Sequence, residues 1–243
     1  MPRFFTENIV DDRALLTGED AAHIAKSLRM APGEELTLCD CKGSDYRCVV
    51  ESVSPGQVEL RVLERTATLS EPKVQLTLYQ ALPKGDKLEQ IVQKAVELGA
   101  VRIVPVLSSR CISRPDGKSM AKKLEKLRRT ALEAAKQSGR GLIPKVGELL
   151  PFDRAVTEAA NADLPLFFYE EATEPLREAL AVAAGETRNV SVFIGSEGGF
   201  SREEAESARE KGLRWASLGP RILRCETAPV AAIAAVLYGL GEF

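Results

Sequence analysis

Two short stretches near the C-terminal end hold the residue types that can do chemistry. The first is Phe193-Ile194-Gly195-Ser196-Glu197-Gly198-Gly199-Phe200-Ser201; the second is Leu218-Gly219-Pro220-Arg221-Ile222-Leu223-Arg224-Cys225-Glu226-Thr227-Ala228. In each, an apolar run stops at a glycine, so each reads as a strand breaking into a tight loop. Ser201, with Glu204 three residues on, spells a helix-capping box, and Glu226-Thr227 opens a last helix. A glycine turn followed by a helix N-terminus leaves backbone N–H groups free to hold a ligand. Phosphate is a poor fit, because the Glu197 carboxylate would repel it. Two such loops meeting would suit an uncharged or zwitterionic ligand; taken singly, either is equally an ordinary strand-to-helix turn.

The elements that must position these loops alternate. Residues 74–82 form a predicted strand, 86–98 a helix with Leu88, Ile91, Val92, Ala95, Val96 and Leu98 at helical spacing, and 103–106 the next strand. A long helix over 119–138, a strand over 163–169, a helix over 173–184 and short strands over 190–194 and 215–218 follow. Such alternation predicts a mostly parallel sheet covered on both faces. Before it, 36–40, 46–53 and 57–63 alternate polar with apolar between Gly-containing turns, which predicts a small antiparallel barrel or sandwich with one helix over 19–29. The polar stretch Thr66–Pro72 separates a first domain, 1–69, from a second, 73–243.

Composition narrows the chemistry. With 243 residues, 44% hydrophobic and 28% charged, the chain has the make-up of a soluble globular protein, and no apolar run nears the ~20 residues of a membrane span, so a cytoplasmic place is expected. Five cysteines match no CxxC metal pattern and are expected as free thiols. The single histidine, His23, rules out a multi-histidine metal site, and packing or capping is the expected role for it. A formal net charge of −2 leaves room only for a local nucleic-acid footprint.

The two glycine loops together closely resemble those of the SPOUT-class 16S rRNA uridine-N3 methyltransferases, and the resemblance spans essentially the whole chain. Ala22-His23-Ile24-Ala25-Lys26-Ser27-Leu28-Arg29-Met30 resembles the family's N-terminal signature, in a PUA-like RNA-binding β-barrel. Lys84-Gly85-Asp86-Lys87, the segment 93–99 and the segment 133–140 also match family motifs; within them Glu97 and Gln137 read either as buried ties between loops or as groups near substrate. The family form has proline where this chain has Ser196. The resemblance implies an α/β trefoil-knotted methyltransferase domain, a fold that breaks the rule against threaded connections, with S-adenosylmethionine as methyl donor and no metal. It implies that Gly195, Glu197, Gly198, Leu218, Gly219, Ile222, Leu223 and Thr227 line the cofactor pocket. It further implies that Arg224 steadies an anionic uracil ring while Glu226, or Glu197, takes the N3 proton; the other reading of Arg224 is a structural pair with Glu226. The expected substrate is a uridine in the decoding region of 16S rRNA, within an assembling or assembled 30S subunit; the alternatives are a ribose 2′-O-methyltransferase of the same class and a non-catalytic RNA-binding protein.

Basic residues crowd residues 110–129, where Arg110, Arg114, Lys118, Lys122, Lys123, Lys126, Arg128 and Arg129 face only Asp116 and Glu125. Such a run is a solvated helix face or a phosphate track. The RNA-contact candidates are Arg3, Arg29, Lys84, Lys87, Arg110 and Arg140. Residues 229–238 are apolar on every face of a helix, which predicts either burial inside the domain or a homodimer interface with Val236 as a contact position.

Overall fold

The structure, a computed structural model, describes residues 1–181 and 187–243; the end of the helix expected over 173–184 lies outside the described residues. The chain divides into two compact units, Met1–Glu71 with Ala135–Ile143, and Pro72–Ala134 with Pro144–Phe243.

The first unit contains β1 (Arg3–Phe5), β2 (Ile9–Val10), β3 (Arg13–Thr17), α1 (Gly18–Ala22), β4 (Glu35–Cys39), β5 (Ser44–Ser54) and β6 (Gln57–Ala67). They form one sheet in the order β1-β4-β5-β6-β3-β2, antiparallel except for β1 against β4. Alternation does its expected work: Leu36, Leu38, Cys48, Val50, Val58 and Leu60 turn inward onto Phe4, Ala21 and Ile24. The predicted helix over 19–29 is broader than α-helical in its second half. After α1 the chain makes a π-helical turn, His23–Leu28, and closes with Arg29 at φ 53°. The wide turn buries Ala21 and Ile24 but leaves Leu28, expected on the apolar face, exposed. His23 is exposed rather than packed into the core, and its ring meets that of Phe4 in a T-shaped contact.

Arg140 belongs to this unit and is its one buried arginine. Its guanidinium forks onto Glu71 (Nε to Oε1 2.8 Å, Nη2 to Oε2 2.7 Å), and Gly141 N–H donates to the same carboxylate at 2.6 Å. Arg3 in turn donates to the Arg140 carbonyl at 2.8 Å and forks onto Asp45. Removing one partner of a buried pair strands the other, so Arg140→Met should cost about 3–5 kcal/mol of stability, read as a lowered urea midpoint.

The second unit contains β7 (Gln75–Ala81), α2 (Lys87–Leu98), β8 (Arg102–Leu107), α3 (Gly117–Gln137, whose last turn falls in the first unit), β9 (Lys145–Val146), β10 (Leu150–Pro151), α4 (Phe152–Ala159), β11 (Leu164–Phe168), α5 (Leu176–Ala181), β12 (Asn189–Ile194), α6 (Arg202–Glu210), β13 (Arg214–Ala216) and α7 (Ala228–Gly239). The sheet runs β10-β8-β7-β12-β11-β13 with β9 beside β8, every pairing parallel. Parallel strands buried on both faces read as continuous apolar runs, and Val190, Val192, Phe193 and Ile194 fit that rule. Phe152, Phe167, Phe193 and Phe200 form an aromatic cluster beneath the first glycine loop, Phe167 and Phe200 lying 4.4 Å apart.

Helix α7 corrects one expectation. It lies on α2, α5, β7 and β12, and Val236 is 0% exposed. Val236 is therefore an interior residue, not a contact position on the surface, because the knobs of α7 fill its own domain. Val236→Glu should bury an unpaired carboxylate and unfold the chain, seen as loss of a cooperative melting transition. What α7 leaves open is the side holding Tyr238, 76% exposed, next to half-buried Val230, Ala231, Ala234 and Ala235.

Candidate active site

Strands β12, β11 and β13 are neighbours and parallel, so their carboxyl ends lie along one edge of the sheet. That is where ligands bind in open α/β sheets. Register brings the ends together: Phe167 pairs with Phe193 and Phe168 with Ala216. The loops beyond them enclose a cleft of about 800 Å³, within the range of small-molecule sites. Gly195, Glu197, Leu218, Gly219, Ile222 and Leu223 line it, as does Arg224. Gly198, Thr227 and Glu226 lie next to lining residues without bordering the cleft.

The first loop is held from several sides. Ser201 and Glu204 form both bonds of the predicted capping box. The Gln80 amide, buried at the end of β7, donates to the Gly195 carbonyl at 3.0 Å, and Arg110 donates to the Gly198 carbonyl at 3.0 Å. A Cβ on Gly195 would come within 3.0 Å of the Gly199 Cα, so the turn has room only for glycine there. In the second loop Gly219 has φ +98°, a conformation that side chains rarely adopt, and a Cβ on it would meet no protein atom within 4 Å.

Sequence reasoning missed the third wall. Phe168, which ends β11, and Tyr169, Glu170, Ala172 and Thr173 just beyond it also border the cleft, with Glu170 against Gly199 of the first loop. No motif marks them. The available signal was the parallel-sheet rule, which puts the end of any strand adjacent to β12 into the same site.

Between the two loops sits a charge cluster. The Lys87 ammonium is 3.1 Å from Glu197 Oε1 and 3.2 Å from Glu226 Oε2, and it lies 3.7 Å from the Cys225 sulfur. Glu197 also accepts the Lys84 backbone N–H at 3.2 Å, and the Cys225 thiol donates to Glu226 at 3.2 Å. Bonds to Glu197 and then Glu226 hold the Lys87 pKa well above that of an ordinary lysine. Burial pushes the Glu197 carboxyl up, but hydrogen bonds from its own N–H, Lys87 and Lys84 outweigh it and leave it below the usual carboxylate range. Glu226 is likewise lowered, by the Cys225 thiol first, then its own N–H and Lys87. Burial, then the bond to Glu226, pushes the Cys225 thiol up to about 12, so it is protonated at neutral pH. Desolvation raises the Cys41 thiol as well, but Cys41 is exposed and Cys225 buried, so iodoacetamide should modify Cys225 far more slowly than Cys41 near neutral pH, as timed peptide mass mapping would show.

The remaining candidates separate. Arg224 is exposed, and among the described residues its guanidinium has no ion-pair partner; Glu226 pairs with Lys87 instead. Lys87, Arg3 and Arg140 spend their charges on carboxylates, whereas Arg29 and the Lys84 side chain are exposed to solvent. On α3, Met120, Leu124, Leu127 and Ala131 face the core, and Lys118, Lys122 and Arg129 face outward. Glu97 takes hydrogen bonds from Gln93 and Lys94 on its own helix. All five cysteines are free, and among the described residues no helix is long and apolar enough to cross a membrane.

A parallel sheet whose strand ends carry two glycine loops around a cleft, preceded by a β-rich unit, defines a ligand-binding α/β domain with a smaller β domain before it. Residues 70–237 match the RNA methyltransferase domain family and residues 16–63 the RNA methyltransferase PUA domain family. The ribosomal RNA small subunit methyltransferase E of Bacillus subtilis is 35% identical, over 92% of this chain and 89% of its own. A crystal structure of the same-named enzyme from Neisseria gonorrhoeae, bound to S-adenosyl methionine, superposes with TM-score 0.88 at 31% identity, covering 99% of this chain and 98% of that one. A Legionella pneumophila structure in complex with the cofactor superposes with TM-score 0.87 at 30% identity, covering 97% and 96%. The chain belongs to the ribosomal RNA small subunit methyltransferase E family.

Proposed function

We propose that this chain transfers a methyl group from S-adenosylmethionine to N3 of a uridine in the decoding region of 16S rRNA. The observation that supports it most is the cleft itself: two glycine loops at adjacent parallel strand ends, with unpaired Arg224 on its border and the ionised Glu197–Lys87–Glu226 cluster behind it. The cleft also fits the cofactor. A Cβ on Gly219 would enter open space, and a buried hydroxyl, that of Ser196, lacks a partner there. In this reading Gly195, Glu197, Leu218, Gly219, Ile222 and Leu223 hold S-adenosylmethionine, with Gly198 and Thr227 fixing the loops from behind.

S-adenosylmethionine supplies an electrophilic methyl group and needs no metal to do so. The protein must then hold the uracil in line and deal with its N3 proton, which is present at neutral pH. Arg224 stabilises negative charge on the ring, and Glu197, on the border of the cleft, or Glu226, set back from it, accepts the proton directly or through water, the Cys225 thiol, their own N–H groups and Lys87 keeping the carboxylates ionised. The outward face of α3, with Lys84 and Arg110, offers phosphates one basic surface, and Arg29 is the exposed candidate of the β-rich unit; Arg3 and Arg140 hold the scaffold of the first unit and Lys87 that of the second. The working unit is a homodimer joined through the open side of α7, with the trefoil threading that the family resemblance implies.

Incubating 30S subunits, or free 16S rRNA, with the protein and methyl-labelled cofactor should yield 3-methyluridine on nucleoside mass analysis. Label on ribose or on a ring carbon would overturn the N3 assignment.

A further inference from the structure

Two buried side-chain polar atoms lack a hydrogen-bond partner among the described residues: Oε1 of Gln80 and Oγ of Ser196. Gln80 has a reason to be there, since its amide nitrogen donates to the Ala81 and Gly195 carbonyls. Ser196 has none inside the protein. It is 7% exposed and borders the cleft. Its backbone is pinned, with Gly199 N–H donating to its carbonyl at 3.0 Å across an isolated β-bridge. Burying a hydroxyl without a partner destabilises a protein, and alanine would occupy the same place without that cost. Such a group at the edge of a ligand cleft is accounted for when the ligand supplies the partner.

We infer that Ser196 is a cofactor-binding residue whose hydroxyl hydrogen-bonds a polar atom of S-adenosylmethionine. The inference rests on the cleft being the cofactor site. The hydroxyl is already desolvated and its loop already fixed, so the bond forms with little reorganisation of the protein.

Isothermal titration with S-adenosylmethionine and with S-adenosylhomocysteine, neither needing turnover, compares wild type with Ser196→Ala, alongside melting of both proteins without ligand. Ser196→Ala should bind both ligands about fivefold more weakly, while its ligand-free melting temperature stays equal or rises. Equal or tighter binding by Ser196→Ala overturns the inference. So does a lower ligand-free melting temperature, which would mean that the hydroxyl is already satisfied. Wild type binding neither ligand would overturn the reading of the cleft as well, whereas normal wild-type binding with an unaffected variant removes only the role of Ser196.

Discussion

Lys87→Met should lower the methylation rate by on the order of 10²-fold and move the acid limb of the pH–rate profile upward. The reason is the company the ammonium keeps. It bridges Glu197 on the first loop and Glu226 on the second, at 3.1 and 3.2 Å. Without it the two carboxylates share one site with no counter-charge, and like charges raise each other's pKa. In wild type both carboxyls lie below the ordinary range. Their contribution is therefore present above the unfolded-state value and is lost only as pH falls through the lowered folded-state values. In Lys87→Met those values rise, so activity and loop order should fail at a higher pH than in wild type. Rate profiles from about pH 4 to pH 8 bracket the carboxylate range. Lys87→Arg, which keeps the charge, should restore much of the rate. If the methionine variant keeps wild-type rate and profile, the cluster has no part in the chemistry.

Gly219→Val should abolish measurable cofactor binding, a loss of at least about 100-fold, while the fold survives. At φ +98° a β-branched residue cannot adopt the loop's backbone, so the second loop must take another path. A Cβ at this position meets no protein atom within 4 Å, so the strain is confined to the loop and the core beneath is untouched. Circular dichroism should match wild type, and titration calorimetry should show no heat of binding. Unchanged affinity would take the second loop out of the site.

Much of this was legible in the chain itself. Glycine at two strand ends and the Ser201–Glu204 capping box are local features, set by backbone conformations that few residues can adopt and by a bond spanning three positions. Period-two alternation in the β-rich unit and apolar runs further on identified its sheet and the parallel sheet for the same local reason. What sequence could not reveal depends on residues far apart in the chain. Arg140, a plausible phosphate contact by composition, is internal because Glu71 lies against it, and nothing within the segment 135–143 announces that partner. Lys87 reads as one basic residue among many until folding brings Glu197 and Glu226 around it. Val236 sits in a helix apolar on every face, so periodicity had no stripe to point inward. The wall beyond β11 has no motif at all. Its place follows from strand order, which sets β11 between β12 and β13, and strand order is decided by how the helices and strands pack together over the whole unit, not by any segment alone.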